Sequence, residues 1–472
     1  MKLASEILII GGGIVGLAIA LDLKMRGASV TLLSRDFQQA ASHAAAGMLA
    51  PNAEALPPGP MLDLARRSLW LYPQWVSKLE ELTGFDIGYL PSGILAPVYE
   101  PPQAQEYNSG LWLDRDVIES YQLGLGEDVI GGWWYPEDAQ VDNRKLVQAL
   151  RQAVQDLGVE LREGVAVDAI CQRQGRVTGV ITTAGQIQAE NYVLAGGAWS
   201  NQLLPIPVRP LKGQMLSLRM PAEGGTLPIP RVIFGPQTYL VPRKDGKLIV
   251  GATSEDVGWV PHNTPKGIQT LLNRAVRLHP ALQDWQLEEI WWGFRPATAD
   301  QLPILGRSTC DNLFLATGHY RNGILLAPIT ALLLTDLILQ DRSDPILSYF
   351  KGDRPYHQSM NSLTPSHNNP VSHYSLAQAD SRATEPTDDL IIAGRRFRSR
   401  LMTGTGKYPS IEAMQQSVTQ SEGEIVTVAV RRVQTKAPGH EGLAEALDWG
   451  KIWMLPNTAG CQTPEEAIRV AR

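Results

Sequence analysis

The stretch Glu6-Ile7-Leu8-Ile9-Ile10-Gly11-Gly12-Gly13-Ile14-Val15-Gly16-Leu17-Ala18 decides the fold. An apolar run, Ile7 to Ile10, enters Gly11, Gly13 and Gly16 at G-x-G-x-x-G spacing, and helix-forming residues follow from Leu17 to Met25. The order is strand, tight turn, helix. The first glycine allows the turn, the second admits a pyrophosphate to the backbone, and the third brings helix and strand close together. The free N–H groups and positive dipole end of the helix, around Ile14 and Val15, then face the phosphates. A second apolar run, Ser29 to Leu33, closes a βαβ unit, so the reading is an α/β protein with a dinucleotide-binding sheet.

Working outward, 472 residues exceed one ordinary core and suggest two to four domains at roughly 100 to 200 residues each. A hydrophobic content of 44% and a charged content of 19% belong to a folded, water-soluble chain. The net charge of -6 excludes a general attraction to nucleic acid or to an anionic membrane surface. Cys171, Cys310 and Cys461 are far apart and form no C-x-x-C pair, so neither a zinc site nor a disulfide framework is expected. That usage fits the cytoplasm. The N-terminal apolar run leads straight into the glycine turn and reads as a strand, not a signal peptide. The segment Ile324 to Leu339 is interrupted by Pro328 and Asp336, falls short of the ~20 apolar residues of a membrane span, and reads as a buried helix.

After the glycine unit comes a small-residue run, Ser42-His43-Ala44-Ala45-Ala46-Gly47-Met48-Leu49-Ala50-Pro51, which either lets backbone approach a flat ligand or simply packs tightly as a loop or helix start. Residues 61–83 repeat apolar positions at the helical period. From Gly84 to Pro136, short runs cut by Pro and Gly predict strands and turns of an inserted region. Asp142 caps a helix expected to reach Leu157. Two further strands deliver glycines to loops, at Gly196-Gly197 and at Gly318-His319-Tyr320-Arg321-Asn322-Gly323. Repeated at the carboxyl ends of one sheet, such loops can grip different parts of one long ligand. Residues 351–388, rich in Ser, Asn, Thr, Pro and His, read as a linker; the spacing of His357, His367 and His373 fits no metal site. Strand and helix alternate again from Leu390 onward, with helices expected at Ile411 to Gln420 and Pro464 to Arg472.

Several motifs in order carry a resemblance: Gly11 to Gly16, Ala44 to Leu49, Val241-Pro242-Arg243, Gly293-Phe294-Arg295-Pro296, and Gly318 through Pro328. With them, residues 1–350 resemble the FAD-dependent amine oxidases of the D-amino-acid oxidase superfamily, and among these the glycine oxidases of thiamine biosynthesis. The resemblance implies a Rossmann-like FAD-binding part (about 1–83, 137–205 and 296–350) and an inserted antiparallel substrate part (about 84–136 and 206–295). It implies FAD, with Ala46, Gly47, Met48, His319, Tyr320, Asn322, Gly323, Ile324 and Leu325 near the isoalloxazine, and Val167 near the adenine; no cysteine lies between Gly293 and Arg307 to attach it, so non-covalent FAD is expected. Ala41, Ser42, Gly197 and Gly318 complete the expected cofactor contacts. Arg295 is expected to bind the substrate carboxylate, with Tyr239 and Arg321 lining or orienting that pocket.

The chemistry suits those residue types. A carboxylate needs a planar bidentate donor, which arginine supplies and lysine does not. Tyr239 adds one neutral hydrogen bond, and the held α-carbon can then face the flavin. His319 is read as a flavin contact in preference to a proton acceptor. Two departures stand out. Ser34-Arg35 replaces the glutamate that usually holds the adenosine ribose, which raises the alternative of NADP; the later flavin motifs favour FAD. Ser254 stands where a bulkier apolar residue is expected, which leaves substrate size open among glycine, sarcosine and D-amino acids.

Residues 389–472 resemble the N-terminal portion of thiazole synthase, a (β/α) barrel, on the strength of Gly404-Thr405-Gly406-Lys407, Val428-Ala429-Val430-Arg431-Arg432 and Leu455-Pro456-Asn457-Thr458-Ala459-Gly460. A whole barrel takes about 250 residues. The lysine that would form a Schiff base is matched by none of Lys407, Lys436 and Lys451, so this stretch by itself is not expected to make thiazole; docking on a complete thiazole synthase is the alternative. The expected partners are a small amine and O2, in a cytoplasmic homo-oligomer.

Overall fold

The computed structural model describes residues 5–101, 109–221, 227–354, 390–392, 395–397, 399, 401–404, 410–421, 423–429, 447–448 and 452–457. The linker beyond residue 354, Lys407, Lys436, Lys451, the arginines at 431 and 432 and the helix expected over 464–472 lie outside these residues. Two compact units divide the chain, Met1–Ser366 and His367–Arg472.

In the first unit the apolar run becomes the strand Ser5–Ile10, the helix Ile14–Met25 follows the glycine turn, and Val30–Ser34 returns parallel to the first strand. These sit in a six-stranded sheet with the order 304–307, 313–317, 189–194, 5–10, 30–34, 160–163. Only the edge pair 304–307/313–317 is antiparallel. The central strands are buried on both sides, which explains why they read as unbroken apolar runs. Asp142 caps the helix Asn143–Asp156, accepting from the N–H groups of Arg144 and Lys145.

A second sheet of eight strands runs in the order 286–297, 209–219, 247–251, 238–242, 232–235, 94–98, 131–135, 111–114. It is antiparallel except where Val232–Gly235 runs alongside Ile94–Val98. Its own apolar core includes Leu216, Leu240, Val250 and Leu278 of the helix Pro265–Leu278.

The apolar segment near residue 330 is the helix Gly323–Gln340, packed against the helices Ile14–Met25 and Pro60–Thr83. It is long and apolar enough to span a membrane by composition, but most of it is buried inside the protein. Pro328 has no N–H to offer the carbonyl of Ile324 one turn earlier. The Tyr72 hydroxyl takes that place, donating to the Ile324 carbonyl at 2.5 Å, and Ser68 Oγ donates to the Leu325 carbonyl at 2.6 Å. Proline is tolerated here because a neighbouring helix satisfies the carbonyl it orphans.

In the second unit the strands Met402–Gly404, Ile425–Ala429 and Trp453–Asn457 form a parallel sheet, with the helix Ile411–Gln420 between the first two. This β-α-β order is the beginning of a barrel-type alternation. A short hairpin, Leu390–Ile392 with Arg395–Phe397, precedes it.

Candidate active site

A cavity of about 450 Å³ opens where the carboxyl ends of the first sheet meet the second. Gly11 turns the chain there with φ +121°, and a Cβ on it would strike the Ala195 carbonyl of the neighbouring strand, so only glycine fits. The cavity lining takes in Gly11, Gly13, Ile14 and Val15 from the first glycine turn, with Ser34 and Arg35 from the strand that follows the helix. Val167 and Gly197 line it further along, as do Ala41 and, from the small-residue run, Ser42, Ala46, Gly47 and Met48. From the last glycine loop come His319, Tyr320, Arg321, Gly323 and Ile324, and the second sheet supplies Tyr239 and Arg295. Two helix N-termini, at Ile14 and Gly323, therefore point their positive ends into one cleft.

Four of the expected cofactor positions do not line the cavity. Gly16 faces the Gly11 carbonyl, where a side chain would collide, so it serves close packing inside the motif. Gly318, with φ +74°, packs on Thr298 and makes the turn that aims His319 and Tyr320. Asn322 precedes the helix and donates its own N–H to the His319 carbonyl at 2.9 Å. Leu325 is turned into the core by the helical period.

The small-residue segment is held from behind by its carbonyls. Asn143 Nδ2 donates to Ser42 O at 2.8 Å, Arg144 Nε to His43 O at 3.3 Å, and Trp291 Nε1 to Ala44 O at 3.0 Å. Arg243, only 6% exposed, reaches across from the second sheet to Ala46 O at 2.7 Å and to Asn143 Oδ1 at 3.0 Å. Gly47, at φ +77°, gives its carbonyl to Val141 N–H at 2.9 Å, and a Cβ here would strike the Val141 carbonyl. Such over-determination suits a wall that must keep its shape against a flat ring.

At the other end, Arg295 lies on the strand Gln286–Ala297, with its guanidinium flat over Gly213 of the adjacent strand. Nη1 donates to the Thr253 carbonyl at 3.0 Å and to the Lys212 carbonyl at 3.4 Å. Among the described residues no carboxylate forms an ion pair with Arg295. Tyr239 packs on Gly251, and its hydroxyl lies 3.3 Å from Met215 Sδ. Burial raises its pKa, with Arg295 and Arg321 opposing, so it stays a neutral donor. Arg321 pairs with Glu54 at 3.5 Å, and that carboxylate, with the side chain 10% exposed, lifts the Arg321 pKa further.

Glu54 and Met215 line the cavity unannounced by any motif. Glu54 sits in a turn after the small-residue run, and the turn is organised by buried Asp138, which accepts from Ala53 N at 2.7 Å and Asn52 Nδ2 at 2.7 Å. Burial pushes the Asp138 carboxyl up to about 6 despite those bonds. His319 is buried beside Thr330 Oγ1 at 3.1 Å, and burial pushes its pKa down to about 4. A histidine so disfavoured as a cation is a poor reservoir for a substrate proton.

A glycine-turn sheet and an antiparallel sheet that share one arginine-bearing cleft define a flavin-dependent oxidoreductase. The chain belongs to the DAO family of FAD dependent oxidoreductases, whose model matches residues 6–337, while residues 391–472 match the thiazole biosynthesis protein ThiG. The bifunctional protein ThiO/ThiG of Synechocystis sp. is 62% identical over 100% of this chain and 73% of its own length. A glycine oxidase of Bacillus licheniformis is 31% identical over 72% of this chain and 94% of its own length. The crystal structure of glycine oxidase from Geobacillus kaustophilus superposes with a TM-score of 0.69 at 31% identity, covering 75% of this chain and 99% of that one.

The residues fit FAD. Gly13 leaves the backbone at the first helix N-terminus open to the cleft, as a pyrophosphate requires, and one cavity takes in both Ser34 and Tyr239.

Proposed function

We propose that this chain oxidises glycine with O2 and water to glyoxylate, ammonia and H2O2 through an imine, in support of thiazole formation for thiamine. The observation that carries the reading is Arg295: a guanidinium that has no carboxylate partner among the described residues, fixed by two carbonyls, at the far end of the dinucleotide cleft. FAD, held by the glycine turn at Gly11 to Val15, by Ala46 to Met48 and by the loop before Gly323, would supply hydride acceptance from an amine and reoxidation by O2. Arg295 holds the carboxylate and Tyr239 adds a hydrogen bond. Arg321, balanced by Glu54, lines the same end of the cavity. Residues of the segment 41–48 and of the loop before Gly323 line the part of the cavity where the ring would be held. Purified holoenzyme should be yellow, release FAD on acid precipitation, and give peroxide from glycine in air. A flavin-free preparation that yields none from glycine or sarcosine would sink the reading.

Sarcosine or a D-amino acid is the second reading, and kcat/KM across the three amines separates them; Ser254, the sequence departure that left substrate size open, is exposed and does not line the cavity. In the same reading, residues 1–350 are the oxidase, with its substrate part built from about 84–136 and 206–295. Residues 351–388 are a linker, and 389–472 are thiazole synthase-like. A homo-oligomer, a cytoplasmic setting and a thiazole synthase partner complete it. Loss of co-purification with thiazole synthase on removing residues 389–472 would support the partner; unchanged co-purification would exclude it.

A further inference from the structure

Behind Arg295 lies a knot of polar side chains that the reaction does not touch. Lys212 is buried, with its side chain 1% exposed, and its ammonium sits 3.4 Å from Glu255. Glu255 also accepts from Gln214 Nε2 at 2.7 Å and from the Thr253 hydroxyl. Gln214 returns to Thr253 through its own N–H, 2.8 Å from Oγ1, and ties down Thr264 by accepting its N–H at 2.7 Å. The backbones are pinned as well: Lys212 and Glu255 exchange N–H···O bonds at 3.0 and 2.9 Å.

The two carbonyls that accept from Arg295 Nη1 belong to Lys212 and Thr253, both members of this knot. A buried ammonium is costly unless paired, and here its partner Glu255 accepts two further hydrogen bonds, from Gln214 and Thr253, which are themselves bonded to each other. We infer that Glu255, together with Lys212 and Thr253, positions Arg295: the ion pair fixes the two carbonyls that orient the guanidinium, and so sets the affinity for the substrate carboxylate. These are positioning residues, since none of them lines the cavity. The inference rests on the glycine oxidase reading for the identity of the carboxylate, and on geometry alone for the support of Arg295.

The test uses holoenzyme carrying Glu255→Gln, Thr253→Val, or the pair Lys212→Met with Glu255→Gln, which leaves no lone buried charge. Glycine kinetics are measured beside titration with glycolate, a carboxylate with no amine to oxidise, followed by the flavin spectrum; melting temperature reports folding. The expected result for Glu255→Gln is a KM for glycine and a Kd for glycolate that rise together, about tenfold, with kcat held within about twofold. The double variant recovers melting temperature but keeps the weakened binding. Unchanged KM and Kd, a loss confined to kcat, or recovery of binding along with stability in the double variant would each overturn the inference. If the parent enzyme gives no peroxide from glycine, the functional reading falls, and the glycolate titration still decides whether Glu255 supports Arg295.

Discussion

Arg243 Nη2 donates to the carbonyl of Ala46 at 2.7 Å, a buried cation of the second sheet gripping the wall of the flavin cleft. Burial lowers its pKa, and Asp142 at 3.7 Å opposes that. The Val-Pro-Arg motif thus couples the two sheets. Arg243→Met would leave Asp142, Asn143 Oδ1 and Ala46 O without their shared donor. The expected cost is about 3 kcal/mol of stability and a weaker hold on FAD, read as a lower melting temperature and faster flavin loss on gel filtration. Retention of flavin at the parent level would contradict the coupling.

Arg295→Lys keeps the charge and loses the fork. Its ammonium cannot bond Thr253 O and Lys212 O while offering two parallel donors to a carboxylate. Glycine kcat/KM should fall by about two orders of magnitude, mostly in KM, while the flavin spectrum of the free enzyme stays unchanged. A loss carried by kcat alone would place Arg295 elsewhere in the reaction.

Glu54→Gln would release Arg321 from its carboxylate partner at 3.5 Å and leave the cavity one unit more positive. Glycolate should then bind several-fold more tightly at low salt, with the gain fading as ionic strength rises. Salt-independent or weaker binding would show that Arg321 does not act on the substrate end.

Asp138 and His319 pull the pH dependence of stability in opposite directions. The Asp138 carboxyl is raised from an ordinary 3.8 to about 6, so the folded state binds the extra proton, and its stabilisation is lost as pH rises through that window. The His319 imidazole is lowered from 6.5 to about 4, so the folded state refuses a proton the unfolded chain accepts, and stability is lost as pH falls through that window. Each effect is on the order of 3 kcal/mol, and the two oppose each other between about pH 4 and 6. Asp138→Asn should therefore unmask a loss of melting temperature toward acid. His319→Gln should unmask a gain. Parallel profiles for both variants and the parent would refute the assignment.

Much of this protein is legible without coordinates. The run Ile7 to Gly16 specifies strand, turn and helix because a Cβ at Gly11 or Gly16 has nowhere to go. The helical period of residues 61–83 and the Asp142 cap are local signals, and they set the elements Pro60–Thr83 and Asn143–Asp156. Arg295 could be singled out because its motif is local as well.

Only the tertiary structure decided what surrounds those residues. Glu54 reaches Arg321 from a distant part of the chain, Arg243 finds Ala46, and Glu255 meets Lys212 by strand pairing. None of these pairs has a period or a spacing, because sheet register and loop packing bring together residues that the chain keeps apart. Local sequence determines where backbone can turn and which faces are apolar. Which buried charges find partners is settled only when the two sheets close over one cleft, since an unpaired charge there would be too costly to keep.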